Sequence, residues 1–322
     1  MTILITGVAG FVGSQVARAL LARGERVVGI DNFSPYYDPV LKFARVKPLR
    51  DNKAFTFLEL DIADREPLLA LAKRHSEIDR IVHLAAQPGV RQSVTDPYVY
   101  VQTNVAGHLV VLELARRFPG LKHFVYASSS SVYGANSRLP FSPADRVDHP
   151  VSIYAATKRS GELMTDAYVH LHKFKATGLR YFTVYGPWGR PDMSPWVFAK
   201  AIQEGRPLKL YHLGFAKRDF SYIDDIVAGT VAVLDKPARE PGHRLYNLGA
   251  AHSEDIVHII ELFEKAIGRK AVTELKPGEP GDMLETAADI TETTRDFGWT
   301  PKVAVEEGIP EFVKWFKAYN GL

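Results

Sequence analysis

The sequence predicts an α/β fold, a doubly wound parallel sheet with a smaller α/β lobe for substrate. Three observations carry this. Short apolar runs alternate with longer helical patterns through residues 1–181, the rhythm of parallel strands joined by right-handed crossovers. The first run leads straight into the glycine-rich turn Gly7-Val8-Ala9-Gly10-Phe11-Val12-Gly13. At 322 residues the chain is long for one core and suits two lobes or one elaborated domain.

The elements follow in order. Ile3-Leu4-Ile5 reads as a strand and Phe11 to Arg23 as a helix stopped by Gly24. Arg26–Ile30 and Ala54–Leu60 are strands ending at Asp31 and Asp61. Asp64 is placed to cap a helix bearing Leu68, Leu69 and Leu71. Ile81–Leu84 is the fourth strand. Asp96-Pro97 opens a helix to about Arg117, with Pro at its first position. Phe124–Ala127 is the fifth strand, Ser152–His172 a helix, and Thr177–Tyr181 another strand. After Tyr181, Gly186-Pro187, Arg190-Pro191 and Ser194-Pro195 break the rhythm. Helices follow near Pro195–Glu204, Asp224–Leu234, Ser253–Ile267 and Val305–Tyr319. Residues 1–181 are expected to form the dinucleotide-binding domain, joined by parts of 219–248. Residues 182–322 are expected to form mainly the substrate lobe.

Composition narrows the function. The chain is 46% hydrophobic and 24% charged with a net charge of +3, ordinary for a globular protein and without a basic block for nucleic acid. It has no cysteine, which excludes disulfides, thiolate nucleophiles and zinc–cysteine sites. Its eleven histidines form no His-Glu-x-x-His pattern, so no metal is expected. A first strand at the start of the chain and no apolar run near the ~20 residues that span a bilayer lead to the expectation of a cytoplasmic protein, away from membranes.

A Gly7-x-x-Gly10-x-x-Gly13 turn between strand and helix suits a pyrophosphate at the helix N-terminus. Phe11 and Val12 supply the first N–H groups there. Asp31 ends the second strand, 18 residues after Gly13, where a carboxylate accepts from ribose hydroxyls. Asn32-Phe33-Ser34 follow with no Arg, so NAD is expected rather than NADP. Asp61-Ile62 is placed to meet the adenine. As plain sequence, Asp31 and Asp61 also fit strand-end turn residues.

Tyr154 and Lys158 stand at i and i+4, on one helix face. Tyrosine ionises near ~10; positive charge from Lys158 and an oxidised nicotinamide would favour its phenolate. Such pairs also occur on ordinary helix surfaces. Ser128-Ser129-Ser130-Ser131 leaves the fifth strand at the ligand-binding edge of such sheets, with Ser129 25 residues before Tyr154. A hydroxyl there can hold the same substrate oxygen.

With these residues the whole chain resembles the extended short-chain dehydrogenase/reductases that act on nucleotide sugars. The matching pieces are Thr6-Gly7 to Gly13, Asp31-Asn32, Asp61-Ile62, His83-Leu84-Ala85-Ala86, Asn104, the serine run, Tyr154/Lys158, Arg180-Tyr181-Phe182, Arg218-Asp219-Phe220 and Tyr246-Asn247-Leu248-Gly249. The resemblance implies a Rossmann-like fold, bound NAD, and Ser129, Tyr154 and Lys158 as catalytic residues. It adds Leu84, Ala85, Ala86, Asn104 and Tyr181 to the cofactor site and places Arg218 on a UDP diphosphate. It also implies a homodimer built on the helices of Pro97–Arg117 and Tyr154, with a stripe at Val101, Val105, Leu109 and Leu112.

Within that family the segments Asp31–Pro39 and Tyr181–Met193 look like those of UDP-glucuronate 4-epimerases. Thr183 stands where UDP-galactose 4-epimerases usually carry Asn. Thr183, Ser129, Ser130 and Arg190 would then hold a sugar carboxylate, Arg190 in two-point fashion; otherwise Arg190 is one of 40 basic residues, on a Pro-rich loop. Pro88 and Arg91 would approach the sugar. The serine run lacks the Asp or Glu of related dehydratases and decarboxylases, so a 4-keto intermediate should be returned rather than diverted. UDP-galactose epimerases and UDP-glucuronate decarboxylases remain the alternatives. A binding protein that only senses NAD is the competing class, but it would need none of Ser129, Tyr154 and Lys158. Glu279 stands where UDP-galactose epimerases have a phosphate Arg, leaving Lys276 or Arg218 to replace it.

Overall fold

Seven parallel strands make the central sheet of the computed structural model, which describes residues 1–278 and 283–322. Glu279 and the rest of Gly278-Glu279-Pro280-Gly281-Asp282 after it lie outside the described residues. The strands are β1 (Thr2–Thr6), β2 (Arg26–Asp31), β3 (Phe55–Glu59), β4 (Arg80–His83), β5 (His123–Ser129), β6 (Lys175–Tyr181) and β7 (Gly242–Leu248), in spatial order β3-β2-β1-β4-β5-β6-β7. All six pairings are parallel. Ile3, Leu4 and Ile5 are wholly buried, because helices cover both faces of such a sheet and its strands read as continuous apolar runs. The strand order reverses at β1, so a crevice opens between the C-terminal ends of β1 and β4.

On one face, Val16, Ala17 and Leu20 of α1 (Phe11–Ala22) pack in the same core as Ile226, Val233 and Leu234 of the Ile223–Asp235 helix. On the other, Leu68 and Leu71 join Val111, Leu112 and Leu114. The chain leaves the large sheet after β6 and returns to it as β7. The smaller lobe is built from the Ser194–Glu204, Ile256–Ile267 and Val305–Asn320 helices and from short strand pairs, Pro207–Leu210 with Val272–Leu275 and Lys217–Arg218 with Glu254–Asp255.

Two local expectations change, and one helix was not expected. The 97–117 segment is not one α-helix: Pro97–Tyr100 and His108–Ala115 flank a π-helical stretch, Val101–Gly107. The wider turn shifts the register, so the expected stripe divides. Leu112 is buried, whereas Val101 and Leu109 are exposed. Asp64 sits at the N-cap of Arg65–Leu69, but its side chain makes no capping hydrogen bond. A helix at Val40–Arg50 was not legible, because Pro48 and its charged residues obscure the periodicity.

Candidate active site

Glycine is required in the first loop by the loop itself. Gly7 has φ +73°, and a Cβ there would lie 2.6 Å from the Ala85 nitrogen. A Cβ on Gly13 would lie 2.2 Å from the Gly7 carbonyl oxygen, and one on Gly10 2.9 Å from it. The strand–turn–helix can close only without those side chains. Gly10 caps α1 with no side-chain hydrogen bond, so the positive helix end at Phe11 and Val12 is left for an anion. These residues fit a dinucleotide pyrophosphate.

Asp31 closes β2, its Oδ2 accepting from the Ala9 N–H at 3.0 Å and its Oδ1 from the Phe33 N–H at 2.9 Å. Burial raises its pKa, and Lys42 opposes that. Each oxygen keeps a lone pair for a ribose hydroxyl. Asn32 donates to Asp61 Oδ2 at 2.7 Å, tying the ends of β2 and β3 together. Ile62 is buried, its side chain packed so that a Cβ on Gly107 would meet it at 2.9 Å.

Past β4, the Ala85 N–H donates to Thr6 Oγ1 at 3.1 Å, fixing Leu84, Ala85 and Ala86 beside the glycine loop. Asn104, inside the π-helical stretch, accepts from the Gln87 N–H at 2.7 Å and donates to the Gln87 carbonyl at 3.0 Å and to Thr157 Oγ1 at 3.1 Å. Its side chain is therefore committed to joining the β4 loop to the Tyr154 helix. Tyr181 likewise differs from a direct ligand: its buried hydroxyl pairs with Thr230 at 2.9 Å, leaving its backbone at the sheet edge.

The Tyr154 helix, α2 (Ile153–His172), begins at Ser152, whose side chain accepts from the Ala155 N–H at 3.1 Å. Tyr154, Lys158 and Glu162 then recur every four residues on one face. Burial raises the Tyr154 phenol above its ordinary value, while a hydrogen bond with Ser129 and the charge of Arg190 pull it down. Ser129 ends β5, accepting from the Ser131 N–H at 3.2 Å; Ser130 opens the following 3-10 turn, Ser130–Tyr133. Lys158 donates to the Ala127 carbonyl at 2.9 Å. Burial lowers it to about 8, with Glu162 acting the other way. Glu162 is shared by Ser128 at 2.7 Å and by Arg180 at 2.8 and 2.9 Å, an ion pair buried beneath the serine run.

Arg190 faces this phenol from the 186–193 loop and pairs side-on with Asp192. Thr183 lies in the Thr183–Tyr185 strand, its N–H bonded to the Asp219 carbonyl at 3.1 Å. The Pro88 carbonyl accepts from Tyr100 at 2.7 Å. Arg91 lies over the Tyr211 ring at 4.1 Å. Arg218 donates to the Leu284 and Lys217 carbonyls at 2.8 and 2.9 Å.

Sequence reasoning missed Arg45, Asp192 and Tyr36. Arg45 is wholly buried and donates to the carbonyls of Ala9, Trp188 and Gly189, stitching the glycine loop to the Arg190 loop. Nothing in its neighbourhood in sequence signals that reach. Asp192 was signalled only by standing two residues from Arg190. Among the described residues no cluster of His, Asp and Glu is placed to hold a metal ion, and no helix is long and apolar enough to cross a membrane.

The arrangement matches known proteins along nearly the whole chain. A sequence model of the NAD dependent epimerase/dehydratase family matches residues 3–249. A probable UDP-glucuronate 4-epimerase of Rhizobium meliloti is 42% identical over 334 residues, 98% of this chain and 97% of the relative. UDP-glucuronate 4-epimerase 4 of Arabidopsis thaliana is 41% identical over 333 residues, 99% of this chain and 76% of the relative. The crystal structure of UDP-glucuronic acid 4-epimerase from Bacillus cereus, in complex with UDP-glucuronic acid and NAD, superposes with a TM-score of 0.92 at 36% identity, over 99% of this chain and 100% of that one. With its glycine turn, serine edge and Tyr–Lys helix, the chain belongs to the NAD-dependent epimerase/dehydratase family.

Proposed function

We propose that this protein is a UDP-glucuronate 4-epimerase, interconverting UDP-glucuronate and UDP-galacturonate in the cytoplasm as a homodimer. The observation that carries the substrate choice is Arg190. Its guanidinium is held side-on by Asp192 through Nε and Nη2, leaving its outer edge for an anion; a neutral sugar would need no such cation and a carboxylate sugar gains one. Similarity to the Rhizobium and Bacillus proteins named above supports the same reading.

NAD, when bound, supplies a reversible hydride acceptor for C4. Tyr154 takes the proton of the C4 hydroxyl and later gives it back. Ser129 holds the C4 oxygen, and its hydroxyl lowers the pKa of that phenol. Lys158 would hold the ribose of the dinucleotide and keeps positive charge one turn from Tyr154. Between the two steps the 4-keto sugar turns about its diphosphate bonds and presents its other face. Thr183, Ser130 and Arg190 grip its carboxylate, Pro88 and Arg91 border the sugar, and Arg218 meets the diphosphate. Residues 1–181 with parts of 219–248 hold the cofactor, and the rest of 182–322 closes on the sugar nucleotide.

The test is to incubate the purified protein with UDP-glucuronate, adding no NAD, and to follow the anomeric protons by NMR. Appearance of UDP-galacturonate is expected. A UDP-pentose product would make the protein a decarboxylase, and turnover of UDP-glucose alone would return it to the neutral sugars.

A further inference from the structure

Arg190 is held from behind. Its Nε donates to Asp192 Oδ1 at 3.0 Å and its Nη2 to Asp192 Oδ2. The Tyr36 hydroxyl donates to that same Oδ2 at 3.1 Å. A guanidinium carries five N–H donors in a rigid plane. The side-on pair uses the Nε edge, so the Nη1–Nη2 edge still offers a second two-point fork for a carboxylate.

The holders are themselves fixed by distant segments. Tyr36 lies in the 31–39 segment that follows β2, and its hydroxyl fills the space beside Gly89 after β4, where a Cβ would come within 2.3 Å of it. The loop carrying Arg190 and Asp192 is anchored through Trp188 and Gly189 to Arg45, at 2.6 and 3.2 Å. Three loops thus meet along the chain Gly89–Tyr36–Asp192–Arg190, and the Arg190 charge acts on both the Tyr100 and Tyr154 phenols.

We propose that Asp192 and Tyr36 are positioning residues: they fix the plane of Arg190 so that its outer edge pins the sugar carboxylate and suppresses loss of carbon dioxide from the 4-keto intermediate. This rests on the UDP-glucuronate reading above. In that intermediate the carboxylate on C5 is β to the C4 ketone. Decarboxylation breaks the C5–C6 bond, its electron pair passes into the C4 carbonyl to give an enolate, and carbon dioxide leaves. C5 then takes a proton, and hydride returned to C4 completes a UDP-pentose. The C5–C6 bond breaks only when it lines up with the carbonyl π system, an orientation that a two-point grip on the carboxylate can forbid. An Asn at 192 would turn an –NH2 or a neutral oxygen toward the guanidinium and release its plane.

Wild type, Arg190→His, Asp192→Asn and Tyr36→Phe are each incubated with UDP-glucuronate, and the ratio of UDP-pentose to UDP-galacturonate is read by NMR, with thermal unfolding as the check on folding. The ratio is expected to rise about tenfold or more in Asp192→Asn, the scale of a lost charged hydrogen bond. In Tyr36→Phe it rises by less, in the same direction as in Arg190→His. A merely structural defect would slow both products together and leave the ratio alone. Wild-type ratios in both Asp192→Asn and Tyr36→Phe, with a raised ratio in Arg190→His, would overturn the positioning role. An unchanged ratio in Arg190→His would overturn it as well. If Asp192→Asn does not fold, Tyr36→Phe decides alone. No UDP-galacturonate from wild type would sink the substrate reading itself, a separate result.

Discussion

Lys158 is an ammonium that burial lowers to about 8, and in the proposed mechanism the enzyme needs its charged form. Deprotonation proceeds as pH rises through that value, so the charged form is lost on the alkaline side. kcat/KM for UDP-glucuronate is therefore expected to fall above about pH 8, and a profile flat to pH 10 would rule the ammonium out of the rate. Tyr154 is expected to be indispensable. Tyr154→Phe removes the proton carrier while keeping the ring against Tyr100, and should cost about 10²–10⁴-fold in kcat with the melting temperature preserved; a fall of less than tenfold would move the acid–base role elsewhere. The Tyr–Lys pair was legible because i,i+4 spacing is enforced by the helix. Ser129 was legible as a partner for the same substrate oxygen, while the way its hydroxyl sits against the phenol depends on how β5 meets α2. Asp31 was legible by position alone, and the two backbone N–H groups its carboxylate accepts were visible only after folding.

The π-helical stretch Val101–Gly107 shows what an element adds to its residues. Its wider turn brings Asn104 inward and rotates Val101 and Leu109 outward. Asn104 then bonds the Gln87 backbone twice and Thr157 once. Asn104→Ala leaves buried backbone groups of Gln87 without these partners. It should lower unfolding free energy by about 1–3 kcal/mol, measured by denaturant unfolding, and loosen cofactor retention; unchanged stability would show that water replaces the amide. The sequence pattern was read as one α-helix because apolar spacing over a short window does not distinguish one inserted residue. At α1, in contrast, strand, glycine turn and helix were legible together, because each glycine is required by backbone atoms of the same loop or of its neighbour at Ala85.

Exposed apolar residues are spread over the described surface, Phe43, Phe215 and Leu275 among them, and several fall on the 97–115 segment and the Tyr154 helix. Tyr98, Val101 and Leu109, on the three consecutive helical pieces of 97–115, and Ile153 and Leu163 on α2 are all exposed, and neighbouring apolar side chains of this kind suit an interface. Wild type is expected to sediment as a dimer, and Leu109→Glu combined with Leu163→Glu as a monomer; a monomeric wild type would remove the four-helix interface. Chain-local physics was enough for the strands of the first half, the glycine turn, the Tyr154 face and the likeness to the NAD-dependent family, because strand and helix periods, caps and tight turns act over a few residues. Arg45 reaching Trp188, β7 joining β6, and Tyr36 meeting Asp192 link positions far apart in sequence. No period encodes such pairs: they exist only once the sheet order has brought the loops after β2, β4 and β6 to one edge, where burial strengthens each charge and leaves a polar group little choice but to bond what packing sets beside it.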